Sequence, residues 1–151
     1  MDDAERFPAV SGEALDGTPF VAPRDLAVAR TVAFVGFAVE QRSEIESWVP
    51  YVDTLVRSRP DVRARLFVAL GMPKLMRGAV LGAMRAAVSA PELRASTVPL
   101  FVDVAAFARA AGIHDRTHVT VMVVEPDGRI TWRGSGPYSD AAGAALTEAL
   151  R

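Results

Sequence analysis

The sequence predicts an α/β fold: a mostly parallel sheet covered by helices on both faces and finished by an antiparallel hairpin near the C-terminal end. Three observations carry this. Thr31-Val-Ala-Phe-Val-Gly-Phe-Ala-Val39 and His118-Val-Thr-Val-Met-Val-Val124 are apolar on both faces and rich in β-branched residues, as strands sandwiched between helices must be. Strand-like runs alternate with segments of helical period, which requires parallel strands joined by crossovers. Finally, Glu125-Pro-Asp-Gly128 separates the second run from Arg129-Ile-Thr-Trp-Arg133, and Pro-Asp-Gly between two strand runs is a hairpin turn.

Each element has its local reason. Phe7 to Asp25 is rich in Gly and Pro and reads as a hairpin or arm ahead of the first central strand, Thr31–Val39. From Ser43 to Ser58, Ile45, Trp48, Val49, Val52, Leu55 and Val56 recur at the spacing of one helix face. Ser43 with Glu46 has the capping-box spacing, and Glu44 and Glu46 suit the positive end of the helix dipole. Pro50 inside this helix is expected to kink it. Arg65–Leu70 is a strand ended by Gly71 and Pro73, and Lys74–Val88 a second helix. Thr97–Val102 is a strand placed at a sheet edge, because Pro99 has no N–H for a ladder. Asp103 caps a helix that Gly112 stops, and the last helix runs from Ser139 or Asp140 to Leu150. Trp48, Trp132, Phe34, Phe37, Phe67 and Phe101 read as core.

Composition narrows the function classes. The chain of 151 residues is half apolar, enough for a real core, and is read as one domain, 1–151, with residues 1–30 as its arm. Seventeen cations against 18 acids give a net charge of −1, which argues against nucleic acid as a partner. There is no cysteine, so disulfides, thiol nucleophiles, Cys-ligated zinc and iron–sulfur clusters are excluded. The longest apolar run, Val32–Val39, is far short of the ~20 residues that span a bilayer. Met1-Asp2-Asp3-Ala4-Glu5-Arg6 lacks the layout of a secretory signal, so a cytoplasmic location is expected.

The order of arm, alternating strands and helices, final hairpin and closing helix resembles the thioredoxin-like superfamily, in its peroxiredoxin-like layout. The residues carrying the likeness are Thr31–Val39 leading into a helix with Pro50, the insert Val98-Pro-Leu-Phe-Val-Asp103 through Gly112-Ile113, the opening Phe7-Pro8, and Val123-Val-Glu-Pro-Asp-Gly-Arg-Ile130. The resemblance implies a mixed sheet, mostly parallel with a C-terminal antiparallel hairpin, between two helical layers. Asp127-Gly-Arg-Ile-Thr-Trp-Arg-Gly-Ser-Gly136 and Ser47-Trp48 are also similar to the thioredoxin-like assembly factors of mitochondrial ATP synthase, chaperones for a membrane subunit. The family's redox cysteines would fall within Gln41–Ile45 and its cis-proline near Val119; neither residue type stands there. The resemblance thus implies the scaffold without its redox centre.

Candidate sites follow from residue types and placement. Glu40, Gln41, Arg42, Ser43 and Glu44 lie beyond the carboxyl end of a central strand, where open α/β sheets bind ligands. In this layout His118 approaches the same cleft. Ser43, His118 and a carboxylate could be drawn as a triad, but residue presence does not define one, and no catalytic residue is assigned. His114 and His118 would share a metal only on a helix, which the Gly112 stop opposes; no metal is expected. Gly71-Met-Pro-Lys74 and Gly134-Ser-Gly136 lack the spacings of phosphate and dinucleotide loops, so no cofactor is expected.

Lys74–Val88 is the most unusual segment. Met76 and Met84, with Met72 just before, make three of the chain's five Met, and Lys74, Arg77 and Arg85 stand without an acid between Met72 and Pro91. Gly78, Gly82 and Ala86 form a small stripe expected to pack inward on the sheet. Lys74, Arg77, Met84 and Arg85 are the candidate partner-binding residues, because flexible Met side chains adapt to varied surfaces and cations steer an acidic partner. The function expected is a non-redox binding or assembly module with a protein partner. The alternatives are an enzyme using non-thiol chemistry in the cleft, or a diverged peroxiredoxin-like structural subunit.

Overall fold

The computed structural model describes residues 6–151. Its elements are β1 (Val10–Glu13), β2 (Pro19–Ala22), β3 (Arg30–Gly36), α1 (Arg42–Ser58), β4 (Val62–Leu70), α2 (Lys74–Ala87), α3 (Pro91–Ser96), β5 (Thr97–Phe101), α4 (Val104–Ala110), β6 (Thr120–Val124), β7 (Ile130–Ser135) and α5 (Asp140–Ala149). The main sheet has the order β5-β4-β3-β6-β7. The β3–β4 and β4–β5 pairs are parallel, while β3–β6 and β6–β7 are antiparallel, so β6 alone runs against the others. The hairpin turns at Gly128, which has φ +90°, and the Gly128 N–H donates to the Glu125 carbonyl at 2.8 Å.

Alternation along the central strands builds two cores. Val32 and Phe34 of β3, with Val121 and Val123 of β6, face Trp48, Val52 and Leu55 of α1 and Leu146 of α5. Ala33 and Val35, with Met122 and Val124, face the opposite side, where Phe20 of β2, Phe67, Phe107 of α4 and Ile113 gather. β5 stands at the edge as Pro99 requires. The Thr97 carbonyl accepts the Leu15 N–H at 3.0 Å, so this outer side faces the β1–β2 hairpin, and Pro99, two residues on, turns its missing donor the same way. Asp103 caps α4 through the Ala106 N–H at 3.0 Å, Ser139 caps α5 through the Ala142 N–H at 3.0 Å, and Gly112 leaves α4 at φ +71°. No helix of the described residues is long and apolar enough to cross a membrane.

Several expectations are corrected. The strand expected over 31–39 stops at Gly36, because the Gln41 side chain accepts the Phe37 N–H at 2.8 Å and the chain turns into a 3-10 segment, Val39–Gln41. That turn feeds directly into α1. The Ser43–Glu46 capping box therefore does not form: Ser43 lies inside the first turn, and Glu46 pairs with Arg42 at 2.8 Å instead. α1 runs through Pro50 to Ser58. The strand expected from His118 begins at Thr120, since Glu44 has taken the Val119 N–H. α3 was not foreseen.

The largest correction concerns α2, which buries none of its residues. A Cβ placed at Gly78 or Gly82 would meet nothing within 4 Å, so the small stripe faces open space rather than the sheet. The reason is how the helix is held. The Arg77 guanidinium lies 4.9 Å from the centre of the Phe101 ring, and Arg85 Nε donates to the Leu15 carbonyl at 3.1 Å. Arg94 of α3 donates to the carbonyls of Val88 and Arg85, at 2.6 Å each. The cationic side of α2 thus faces the body, which turns the glycines outward.

Candidate functional site

The residues of the expected cleft stand where β3 ends and α1 begins. Gln41 is 4% exposed and spends both ends of its amide on backbone: Oε1 accepts from Phe37 N–H, and Nε2 donates to the Arg116 carbonyl at 2.7 Å. It bridges the β3–α1 turn to the loop before β6, where a buried backbone group without a partner would be costly. One α-helical turn on, Glu44 reaches the same loop. Its Oε1 accepts the Val119 N–H at 3.0 Å and its Oε2 lies 2.9 Å from His118 Nδ1.

Below this pair the seam continues. Tyr138 N–H donates to Ser47 Oγ at 2.9 Å, Trp48 Nε1–H donates to the Gly136 carbonyl at 3.1 Å, and Gly136 N–H donates to the Val119 carbonyl at 2.9 Å. Gly136 sits at φ +95°, a conformation in which a Cβ is strained.

Gln41 and Glu44 thus both reach the loop before β6, which carries His118. Glu40, Arg42 and Ser43 face solvent, and Arg42 is engaged by Glu46. The hydrogen bond that His118 donates to Glu44, the negative charge of Glu44 and that of Asp115 together hold the His118 imidazole above its ordinary pKa. Its Nδ1 is committed to Glu44, and the side chain is 51% exposed. Chemically this is an oriented imidazole able to take and give a proton, with no thiol beside it.

The other candidates fare differently. His114 and His118 lie in an irregular segment after Gly112, where Asp115 accepts the Thr117 N–H at 2.8 Å. Among the described residues no group of three or more His, Cys, Asp or Glu could hold a metal ion. Of the α2 residues, Lys74 is exposed and Met84 half-buried, whereas Arg77 and Arg85 are spent on the body, with Arg77 Nε buried and without a hydrogen-bond partner.

The sequence reading missed a groove of about 930 Å³ between α1, β4 and α3. Phe34, Ile45, Val49, Val52, Leu66 and Leu93 give it an apolar wall, and Asp53, Glu92, Arg57, Arg63 and Arg65 also line it. Leu93, an apolar residue of α3 that is 50% exposed, is a trace of it in the sequence.

Comparison with protein-family models finds no match, and no curated protein matches the sequence. Solved structures do match in shape. A putative electron transfer protein from Aquifex aeolicus is similar at TM-score 0.67 and 11% identity, over 98% of this chain and 96% of that one. A thiol:disulfide interchange protein of the thioredoxin family from Chlorobium tepidum is similar at TM-score 0.61 and 19% identity, over 97% and 96%. BsSco, of the Sco family of cytochrome c oxidase assembly proteins, is similar at TM-score 0.62 and 15% identity, over 96% and 93%. At such identities the likeness speaks to shape and not to activity. The chain has a thioredoxin-like fold, carried by a sequence without a single cysteine.

Proposed function

We propose that this protein is a non-redox binding module that serves in assembly, in the manner of a chaperone, for a protein partner. One observation carries the reading. The position that resemblance gives to redox thiols is filled by Gln41 and Glu44, whose polar atoms are used to hold α1 against the loop before β6. Side chains occupied in that way shape a surface; they do not attack a substrate. The two segments similar to the ATP synthase assembly factors support it too, since Ser47-Trp48 and the end of Asp127–Gly136 meet in space through the Trp48–Gly136 hydrogen bond. BsSco, similar in shape, belongs to a family of assembly proteins. The surface proposed for the partner comprises the cleft around Glu40, Arg42, Ser43 and His118, with Lys74 and Met84 on α2.

Photo-crosslinking residues at Arg42, Ser43 and Lys74, introduced in the native host, test this. The expected result is one discrete protein adduct shared by these positions. Adducts only with further copies of the chain would overturn it in favour of a structural subunit. The Glu44–His118 pair favours a second reading, acid–base chemistry without a thiol. That reading requires a turnover that His118→Gln abolishes while folding and adduct formation persist.

A further inference from the structure

We propose that the free edge of β4, with the groove beside it, takes an extended peptide segment of a partner protein as an added strand, one whose side chains alternate between apolar and acidic. The site shares no residue with the surface proposed above and goes beyond the assembly reading. Register shows where the edge is open. β4 has nine residues, and β5 pairs with it only from Leu66 to Leu70. The Arg30 N–H donates to the Asp61 carbonyl at 3.2 Å, and the Val102 N–H to the Leu70 carbonyl at 3.1 Å. Backbone groups alternate in direction along a strand, so odd-numbered residues of β4 bond to β3 and even-numbered ones face the β5 side. Ahead of Leu66 there is no β5 to meet, because the chain arrives at Thr97 from α3. The Val62 carbonyl and the Ala64 N–H and C=O therefore point outward without a backbone partner among the described residues, while the Val62 N–H is closed on the Arg59 carbonyl at 3.0 Å. Such a row of groups is a template for a further strand.

The same stretch sorts the side chains of its guest. Ala64 and Leu66 pack with the α1 core, and on that face the groove of about 930 Å³ has its apolar wall. Arg63 and Arg65 carry their side chains to the opposite face, where the Arg65 guanidinium lies 4.8 Å from the centre of the Phe20 ring. A strand laid along Val62–Leu66 turns every second side chain into the groove and the ones between toward the arginines. Arg63 is exposed and in no ion pair among the described residues, whereas Arg65 has Asp16 and Asp25 in its field. On the groove side Arg57 stands with Asp53 and Glu92, a balance that disfavours an acid there and confines the guest's acids to the arginine face. Main-chain bonds then supply affinity, and the two unlike faces supply the sequence preference.

A blocked hexapeptide, Glu-Val-Glu-Leu-Glu-Val with a fluorophore at its N-terminus, tests this on the full chain. The expected results are saturable binding by anisotropy with Kd below about 1 mM and at least tenfold slower exchange of the Ala64 amide in the saturated protein. Lysine in place of the peptide's glutamates should weaken binding at least tenfold, and so should N-methylation of alternate peptide nitrogens in one of the two phases. Arg63→Glu, at an exposed position, should reverse the preference between the glutamate and lysine peptides while the circular dichroism spectrum stays unchanged. Absence of saturable binding overturns the inference. So do equal affinities for the two peptides, indifference to N-methylation in both phases, a preference that Arg63→Glu leaves in place, or an Ala64 amide that exchanges as fast as before. Amide shifts confined to Ser43 and His118 overturn it too, and leave the assembly reading of the cleft standing.

Discussion

Glu44 and His118, distant in sequence, meet at 2.9 Å across the junction of α1 and the loop before β6, and the same carboxylate accepts the Val119 N–H. One side chain thereby sets where β6 begins, orients the imidazole and joins the first helix to the antiparallel strand.

Because Glu44 raises the His118 pKa, Glu44→Gln should lower it toward the ordinary imidazole value of 6.5. A proton NMR titration of the ring resonances reads this directly. The sign for stability follows. A group whose pKa is raised on folding stabilises fully below its unfolded value, and the contribution fades as pH rises through the folded one. The urea midpoint of the wild type relative to Glu44→Gln should therefore be greater at pH 5 than at pH 9, by a small margin, since solvent screens so exposed a pair. An equal difference at both ends would sink the idea.

Gln41→Ala should cost about 2–4 kcal/mol in urea denaturation, since the Phe37 N–H and the Arg116 carbonyl lose their shared partner. A cost below about 1 kcal/mol would mean that water replaces the amide without penalty.

The glycines divide by surroundings. Gly78→Ala and Gly82→Ala, with open space where the methyl would stand, should each stabilise by up to about 1 kcal/mol through helix propensity. Gly143→Ala, on another helix, would put its methyl 2.7 Å from the Tyr138 ring and should destabilise. Thermal melts of the three variants decide the matter; a stabilised Gly143→Ala contradicts the α5 contact.

Arg85→Glu should loosen α2 by removing its bond to the Leu15 carbonyl. Amide exchange over 74–88 should quicken while the global unfolding midpoint moves little, because α2 contributes no buried residue to either core. Unchanged exchange would show that the Arg77 and Arg94 contacts hold α2 unaided.

Local chemistry made much of this fold legible in the sequence. Runs rich in β-branched residues and apolar on both faces marked β3 and β6, Pro-Asp-Gly marked the hairpin of β6 with β7, Asp103 and Ser139 marked two helix starts, and Pro99 marked the edge strand; each works within a few residues of itself. The candidate cleft was half legible. Resemblance put residues 41–45 and His118 together, but nothing local announced that Gln41 and Glu44 would be absorbed in backbone hydrogen bonds while Ser43, expected to cap the helix, faced solvent.

What the sequence alone determined is the order of elements, the absence of thiol chemistry and the identity of the central strands, since composition and periodicity fix these wherever the chain goes. Tertiary structure alone decided which way α2 faces. Its amphipathic pattern and glycine stripe allow either orientation. Contacts far along the chain choose between them: Arg77 on Phe101, Arg85 on Leu15, and Arg94 on the helix's last carbonyls. The groove has the same origin, because a void is made by the distance between elements and no single stretch of sequence records it.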